Sequence, residues 1–213
     1  MPTGEPLRLG VLLSGSGRTL QNILDRIDSG ELPARVCVVI SDKADAYGLQ
    51  RAGDRNIPTA VIPRRDYPDA EAFSEAIDAA FEPHDPGLIL LAGFMFFYRV
   101  ADQYAGKVMN IHPALIPSFC GKGYYGHHVH EAVLNYGAKI SGCTVHFADN
   151  RYDNGPIILQ EAVPVLEDDT PETLAARVFE KECELYPRAV RLFAEGRLRI
   201  EGRRVRILAP ESA

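Results

Sequence analysis

The sequence predicts an α/β fold, a single doubly wound and mostly parallel sheet with helices on both faces. Three observations predict it: short, uninterrupted apolar runs, helical periods between those runs, and glycine or serine where the runs end. Uninterrupted apolar runs are typical of strands that are buried on both sides of a parallel sheet. Their alternation with amphipathic helices is typical of βα units.

The first half of the chain supplies five of the expected strands. Their expected ranges are 7–13, 36–40, 59–62, 88–92 and 108–111. Between the first two, Leu20, Ile23 and Leu24 recur at helical spacing before Gly30, a residue that often follows a helix end. A second helical period covers 70–81. Polar residues just beyond these strands should lie at the carboxyl edge of the sheet, where open α/β sheets bind ligands.

The second half changes character but shows no linker. Two β-rich runs are separated by a turn-rich loop, and a long helix starts at Pro171, with Thr170 as its cap. The two runs cover 140–147 and 157–165, and a terminal hairpin is expected at 197–200 and 203–207. Because no repeat or low-complexity tract divides the chain, we expect one domain over residues 1–213.

Composition narrows the classes of function. The chain has 213 residues and a formal net charge of -6, which gives no general affinity for nucleic acid or an anionic membrane surface. No apolar run approaches the roughly 20 residues needed to span a bilayer, and the start of the chain is polar. Four scattered cysteines lack metal-ligand spacing. We therefore expect a cytoplasmic protein without nucleic-acid or membrane partners, in which a local site could still hold a small phosphorylated substrate.

The first candidate site is the glycine loop at residues 14–19. It follows the first strand and opens a helix, where free N–H groups and the positive helix end favour an anion. The loop lacks the full glycine pattern of dinucleotide-binding proteins. A tight strand-to-helix turn needs glycine in any case, so a purely conformational role stays open.

The second candidate is Asn110 with His112, at the end of the fifth strand. Alternation along a strand puts both side chains on one side of the sheet. An amide donor beside an imidazole suits the stabilisation of an oxyanion and the transfer of a proton. The alternative is an asparagine that caps a loop and a hydrogen-bonded histidine before Pro113.

The third candidate is Asp153, in a loop whose residues are also common in ordinary turns. A histidine such as His146, in the strand before it, is more often a satisfied half-buried residue than a catalyst. Three further histidines, His127, His128 and His130, start an expected helix without the carboxylate or thiolate partners that a metal requires. We therefore expect no metal.

Taken in order along the chain, these motifs resemble the glycinamide ribonucleotide transformylase family of folate-dependent formyltransferases. The matching segments are 13–20, 41–46, 91–95, 110–119, 142–147, 153–160 and 176–187, and the resemblance runs from about Leu7 to the terminal hairpin. The Asn-Ile-His-Pro motif with a later aspartate is shared by the wider superfamily, whereas the glycine loop and the Glu182 region indicate this branch. The resemblance implies a Rossmann-like formyltransferase fold, with a phosphate-binding half at about 7–105 and a catalytic, folate-binding half at about 106–213.

The resemblance also implies residue roles. The catalytic residues would be Asn110, His112 and Asp153. The substrate would be bound by Ser16, Gly17, Arg18, Thr19, Met95 and Glu182. The folate would be bound by Leu91, Phe96, Phe97, Tyr98, Val100 and Asp149, together with Asn110 and Asp153. The implied activity is transfer of a formyl group from 10-formyltetrahydrofolate to the amine of glycinamide ribonucleotide in purine biosynthesis, by a monomer or homodimer.

The chain departs from the family pattern in three places. Arg18-Thr19 stands where the family often has Ser-Asn, Phe96-Phe97-Tyr98 stands where it often has Arg-Ile-Leu, and the loop at 119–126 is longer than in some members.

Two alternative enzymatic roles stay open, a formyltetrahydrofolate hydrolase and a formyltransferase for another small amine. The hydrolase and transfer-RNA branches usually carry an extra domain, for which we see no room. A non-catalytic folate-binding module would not need the three catalytic residues.

Overall fold

The computed structural model describes residues 5–210. The strands are β1 Leu7–Leu13, β2 Ala34–Ser41, β3 Thr59–Val61, β4 Leu88–Leu91, β5 Val108–His112, β6 Ile140–Phe147, β7 Ile157–Pro164, β8 Leu198–Glu201 and β9 Arg204–Ile207. The helices are α1 Arg18–Asp28, α2 Tyr47–Gly53, α3 Ala70–Phe81, α4 His127–Tyr136 and α5 Pro171–Ala194. The strands form one sheet in the order β3-β2-β1-β4-β5-β6-β7-β9-β8. The predicted mostly parallel α/β class is confirmed.

The chain divides into two compact units, Met1–Met109 and Asn110–Ala213. In the first unit β1 lies between β2 and β4 and is parallel to both, and β2 is parallel to β3. Leu9, Leu12 and Leu13 of β1 are completely buried. This burial explains why the strand reads as an uninterrupted apolar run, because both of its faces are covered.

Helix α2 is the element of the first unit that the sequence analysis missed. It has only seven residues, so it offers barely two turns in which a hydrophobic period could show. By contrast, α3 begins where its sequence predicts, at Ala70, because the Asp69 side chain accepts a hydrogen bond from the Ala72 N–H at 2.9 Å.

The second unit is built from antiparallel pairs. β6 pairs with β7 and β8 pairs with β9 in this way, while β7 runs parallel to β9. Helix α5 starts at a reciprocal cap, in which the Thr173 N–H donates to the Thr170 hydroxyl and the Thr170 N–H donates to the Thr173 hydroxyl. The predicted threonine cap and Pro171 at the first helical position are therefore confirmed. Within residues 5–210, no helix is long and apolar enough to cross a membrane.

Candidate active site

The glycine loop of the first unit is held on two sides. On one side, the Ser14 N–H donates to the Gly93 carbonyl at 3.0 Å, and the Ser14 hydroxyl accepts from the Met95 N–H at 2.9 Å. These two bonds fix the start of the loop against the segment after β4. They also place Met95, a predicted substrate-binding residue whose side chain is exposed, beside the loop.

On the other side the loop lies against α2. The Gly48 N–H donates to the Gly15 carbonyl at 3.0 Å, and Arg51 Nε donates to the Ser16 carbonyl at 2.9 Å. Gly17 precedes α1 with φ 66° and ψ 29°, a left-handed conformation that favours glycine. A β-carbon at Gly17 would lie 2.5 Å from the Gly48 Cα, so both the conformation and the packing require glycine.

The remaining loop residues predicted to bind substrate differ in exposure. Ser16 and Arg18 are exposed and Thr19 is half-buried at the start of α1. A substrate phosphate could therefore reach the loop from solvent. Neither Gly48 nor Arg51 was identified from the sequence, because a helix of one to two turns thirty residues along the chain leaves no motif.

The predicted folate-binding residues of the first unit fall into three groups by exposure. Phe96 is 40% exposed and packs edge-on against Phe73, with ring centroids 6.0 Å apart. Phe97 and Leu91 are half-buried. Tyr98 and Val100 are buried, and the Tyr98 hydroxyl donates to Asp78. Phe96 is thus the aromatic ring of this segment that is most open to a ligand, whereas a folate role for Tyr98 or Val100 stays a prediction.

In the second unit, Asp153 brings the three predicted catalytic residues together. Asn110 Nδ2 donates to Asp153 Oδ1 at 3.3 Å, and His112 Nδ1 lies 3.6 Å from Asp153 Oδ2. Asn110 and His112 lie on the same face of β5, as predicted. Asp153 itself has φ 47°, a left-handed conformation that aspartate tolerates better than most residues. The trio is therefore an assembled cluster.

His146 on β6 completes this cluster. Its Nδ1 lies 2.9 Å from the Phe147 carbonyl, which can only accept, so Nδ1 carries a proton. Burial lowers the pKa of His146, which favours the neutral ring. Nε2 of that ring then accepts from Asn110 Nδ2 at 3.1 Å. His146 thus acts as a structural acceptor that orients the Asn110 amide.

Main-chain groups of the segment after β5 also contact the cluster. The Phe119 carbonyl lies 2.9 Å from His112 Nε2, so Nε2 carries a proton and donates to it. The Gly121 N–H donates to Asp153 Oδ2 at 2.8 Å. The sequence could not reveal these two partners, because every residue has a carbonyl and nearly every residue has an N–H.

The loop that carries Asp153 is itself braced. Asp149 Oδ1 accepts from the Arg151 N–H at 2.9 Å, and Asp149 Oδ2 accepts from Asn154 Nδ2 at 2.8 Å. A β-carbon at Gly155 would lie 1.8 Å from the Phe147 carbonyl oxygen, so the loop can close only over glycine. Asp149, predicted to bind folate, therefore also stabilises the turn that presents Asp153.

Glu182 lies half-buried on α5. Burial, with a smaller contribution from the charge of Glu182, raises the pKa of the Cys143 thiol to about 12.

His130 on α4 is buried, and burial lowers its pKa to about 4. His128 on the same helix is exposed, with Nδ1 3.3 Å from Glu131 Oε2. Among the described residues, no three His, Cys, Asp or Glu side chains form a group that could hold a metal ion.

Comparison with known proteins decides the family. A family model described as formyl transferase matches residues 7–190. The chain belongs to the formyl transferase family. The predicted family is thus confirmed, and the resemblance extends across both units of this formyl transferase.

Individual relatives are consistent with this family assignment. The formyl transferase is 39% identical over 196 residues to phosphoribosylglycinamide formyltransferase of Haemophilus influenzae, covering 91% of this chain and 90% of the relative. It is 47% identical to the solved glycinamide ribonucleotide transformylase 1 of Symbiobacterium toebii, with a TM-score of 0.90 and coverage of 97% and 96%. A trifunctional purine biosynthetic protein of Bos taurus is 42% identical over 91% of this chain, which spans only 19% of that longer protein.

Proposed function

We propose that the chain transfers the formyl group of 10-formyltetrahydrofolate to the amine of glycinamide ribonucleotide, a step of purine biosynthesis. The observation that carries the proposal is the match to relatives named for this activity over nine-tenths of both chains. The family implies a folate-derived formyl donor. The preassembled cluster of Asn110, His112 and Asp153 supports a catalytic role over a purely binding role, since binding a folate needs no such arrangement.

The reaction needs an oxyanion stabiliser and a route for one proton. The neutral amine attacks the formyl carbon, a carbon–nitrogen bond forms and the carbonyl oxygen becomes an oxyanion. As the intermediate collapses, the bond to the folate nitrogen breaks, and the proton lost by the amine replaces the formyl group on that nitrogen. The Asn110 amide and the His112 ring would donate to the oxyanion, and Asp153 would hold the proton in transit.

The geometry constrains how these donors act. Asn110 Nδ2 is engaged by His146 and Asp153, and His112 Nε2 is engaged by the Phe119 carbonyl. Donation to an oxyanion therefore requires an exchange of partners when substrate binds. Catalytic hydrogen bonds commonly tighten only in the complex with substrate, so this rearrangement is consistent with the role. His112 Nδ1 lies 3.6 Å from Asp153 Oδ2, so a proton would pass between the two groups once they close to hydrogen-bond distance.

Recognition of the acceptor would use its phosphate at one end and its amine at the other. We assign the phosphate to residues Ser16 to Thr19, where backbone N–H groups and the start of α1 favour an anion. Met95 lies next to this loop through its bond to Ser14. Glu182 on α5 would attract the amine end of the acceptor, since a carboxylate suits a cationic or donor group.

The folate would rest on Phe96, Phe97 and neighbouring apolar residues. An exposed aromatic ring can stack on a folate's rings, and such contacts contribute about 0.5–1.5 kcal/mol beyond the area that they bury. Because this segment has phenylalanines where the family often has arginine, we expect it to bind the folate without pairing the carboxylates of its glutamate tail. A cytoplasmic location and a monomeric or homodimeric state complete the proposal.

A formyl-transfer assay tests the activity directly. Purified protein is incubated with 10-formyltetrahydrofolate and glycinamide ribonucleotide, and the formylated product and free tetrahydrofolate are quantified together. We expect the two products in equal amounts and no tetrahydrofolate when the acceptor is left out. Tetrahydrofolate release without acceptor would instead identify a hydrolase, and transfer to other small amines at equal rates would contradict the proposed acceptor.

A further inference from the structure

We propose that Arg51 is a positioning residue for the acceptor's phosphate, because its guanidinium holds the Ser16 carbonyl and thereby aims the Gly17 N–H at the ligand. This inference rests on the proposed phosphate role of Ser16 to Thr19. It adds a residue of α2, an element that the sequence did not reveal, to the binding site. Arg51 would act through the loop without touching the substrate.

The argument begins with the planarity of the peptide bond. In a trans peptide the carbonyl of one residue and the N–H of the next point in opposite directions, so fixing one fixes the other. The Gly15 carbonyl is bound by the Gly48 N–H at 3.0 Å, which sets the direction of the Ser16 N–H. The Ser16 carbonyl is bound by Arg51 Nε at 2.9 Å, which sets the direction of the Gly17 N–H.

The carbonyl groups of the loop are thus bound within the protein, whereas two of its N–H groups are not. The next carbonyl, that of Gly17, accepts the Gln21 N–H at 2.8 Å, so three successive carbonyls are bound. Within residues 5–210, the N–H groups of Ser16 and Gly17 make no hydrogen bond; Ser16 is exposed and Gly17 is buried. Successive N–H groups of this kind, in a turn with a left-handed residue, form concavities that bind anions.

Arg51 can fix the loop only if its own side chain is held in place, and two contacts hold it. Its Nη1 donates to Gln21 Oε1 at 2.8 Å, and its guanidinium carbon lies 4.7 Å from the centre of the Tyr47 ring. A planar guanidinium can donate in two fixed directions at once, here to the loop and to α1. Contact between Gly17 and Gly48 brings α2 close enough for this geometry. Three elements therefore converge on one arginine.

A matched control lies a turn further along the chain. Arg55 follows α2 and is also half-buried, and its Nη2 contacts Asp28 Oδ2 at 3.1 Å at the far end of α1. Arg55→Met removes a guanidinium that links the segment after α2 to α1, but it leaves the loop's carbonyls bound. Arg51→Met removes the loop anchor while keeping a side chain of comparable length.

The experiment titrates inorganic phosphate into the 15N-labelled protein and follows the amide resonances of Ser16 and Gly17 by NMR. For Arg51→Met we expect the Gly17 resonance to be displaced before any phosphate is added. Phosphate affinity should fall about tenfold, which is typical of losing one hydrogen bond to a charged group, here that of the misaligned Gly17 N–H to the phosphate. The KM for glycinamide ribonucleotide should rise in parallel, with kcat and the folate KM unchanged. Arg55→Met should match the wild type in each respect.

Several results would overturn the inference. Equal phosphate affinity in Arg51→Met and wild type would do so. Lost affinity with an unchanged Gly17 resonance in the absence of phosphate would make Arg51 a direct ligand instead. If the wild-type loop ignores phosphate while formyl transfer proceeds, the phosphate loop and Arg51's role fail but the activity stands. If the loop responds as expected but no transfer occurs, the proposed function fails alone. Should Arg51→Met unfold, Arg51→Lys serves in its place, with a smaller loss expected.

Discussion

The glycine loop of the first unit and the Asp153 cluster of the second unit place hydrogen-bond donors in opposite ways. In the loop the donors are main-chain N–H groups, and a side chain, Arg51, holds them in place. In the cluster the donors are the side chains of Asn110 and His112, and main-chain groups hold the cluster in place: the Phe119 carbonyl accepts from His112, and the Gly121 N–H donates to Asp153. The comparison teaches that mutations should act on different kinetic constants in the two units.

The largest effect should come from the cluster. His112→Ala removes a donor and proton carrier, and Asp153→Asn keeps the shape of the residue but removes its charge. Either change should lower kcat by about 10³-fold or more, since the lost interactions belong to the transition state. Steady-state formyl transfer measures this, with the KM for glycinamide ribonucleotide expected to change little. His128→Ala, an exposed histidine of the same unit, is the control and should keep full activity. Near-normal turnover in either variant would remove that residue from the mechanism.

A smaller effect, on KM, should come from the loop. Gly17→Val forces a β-branched residue into φ 66° and against Gly48, so the loop must shift. We expect the KM for glycinamide ribonucleotide to rise by about tenfold or more, because the phosphate donors lose their alignment, with kcat much less affected.

Gly30→Val is the control for strain at Gly17. Gly30 also has a positive φ, of 77°, but a β-carbon there meets nothing within 4 Å. It should lower thermal stability without changing KM. Equal KM values for Gly17→Val and the wild type would show that the loop does not bind the phosphate, and would break the comparison.

The smallest expected effect is on how the free energy of unfolding depends on pH. Burial lowers the pKa of His130 from 6.5 to about 4, so the unfolded chain binds a proton that the folded protein resists. The free energy of unfolding should therefore fall as the pH drops from 6.5 to about 4, and this contribution should be fully present above that window. His130→Phe should flatten the slope by about 1.4 kcal/mol per pH unit, as measured by chemical denaturation. Above pH 6.5 the slope should be the same for His130→Phe and the wild type, and an unchanged slope between pH 6.5 and 4 would contradict the assignment.

The sequence predicted most of the fold because strong local signals coincide with buried structure. β1 and α3 have the bounds that their apolar periods predict, and α5 begins at its threonine cap. Helix α2 was missed, since seven residues carry too little periodicity. The prediction of one domain is not decided by the two compact units.

The candidate site was predictable only where residue type carries the chemistry. Asn110, His112 and Asp153 stand out because amide, imidazole and carboxylate groups have recognisable uses, and the structure brings them together. The contacts of Arg51, Phe119 and Gly121 depend on main-chain geometry, which a sequence does not display. Tyr98 shows the converse, since its residue type suits a ligand but its hydroxyl is bound to Asp78 inside the first unit.

The main-chain contacts of Phe119 and Gly121 have a consequence for how this segment can diverge during evolution. Both contacts use main-chain groups, so they do not depend on a particular side chain, but Gly121 has φ 95°, a conformation that favours glycine. The length of this segment, by contrast, is constrained. Inserting or deleting one residue between positions 119 and 121 would move both groups out of register at once. Selection on this short stretch should therefore preserve its spacing together with the glycine at position 121.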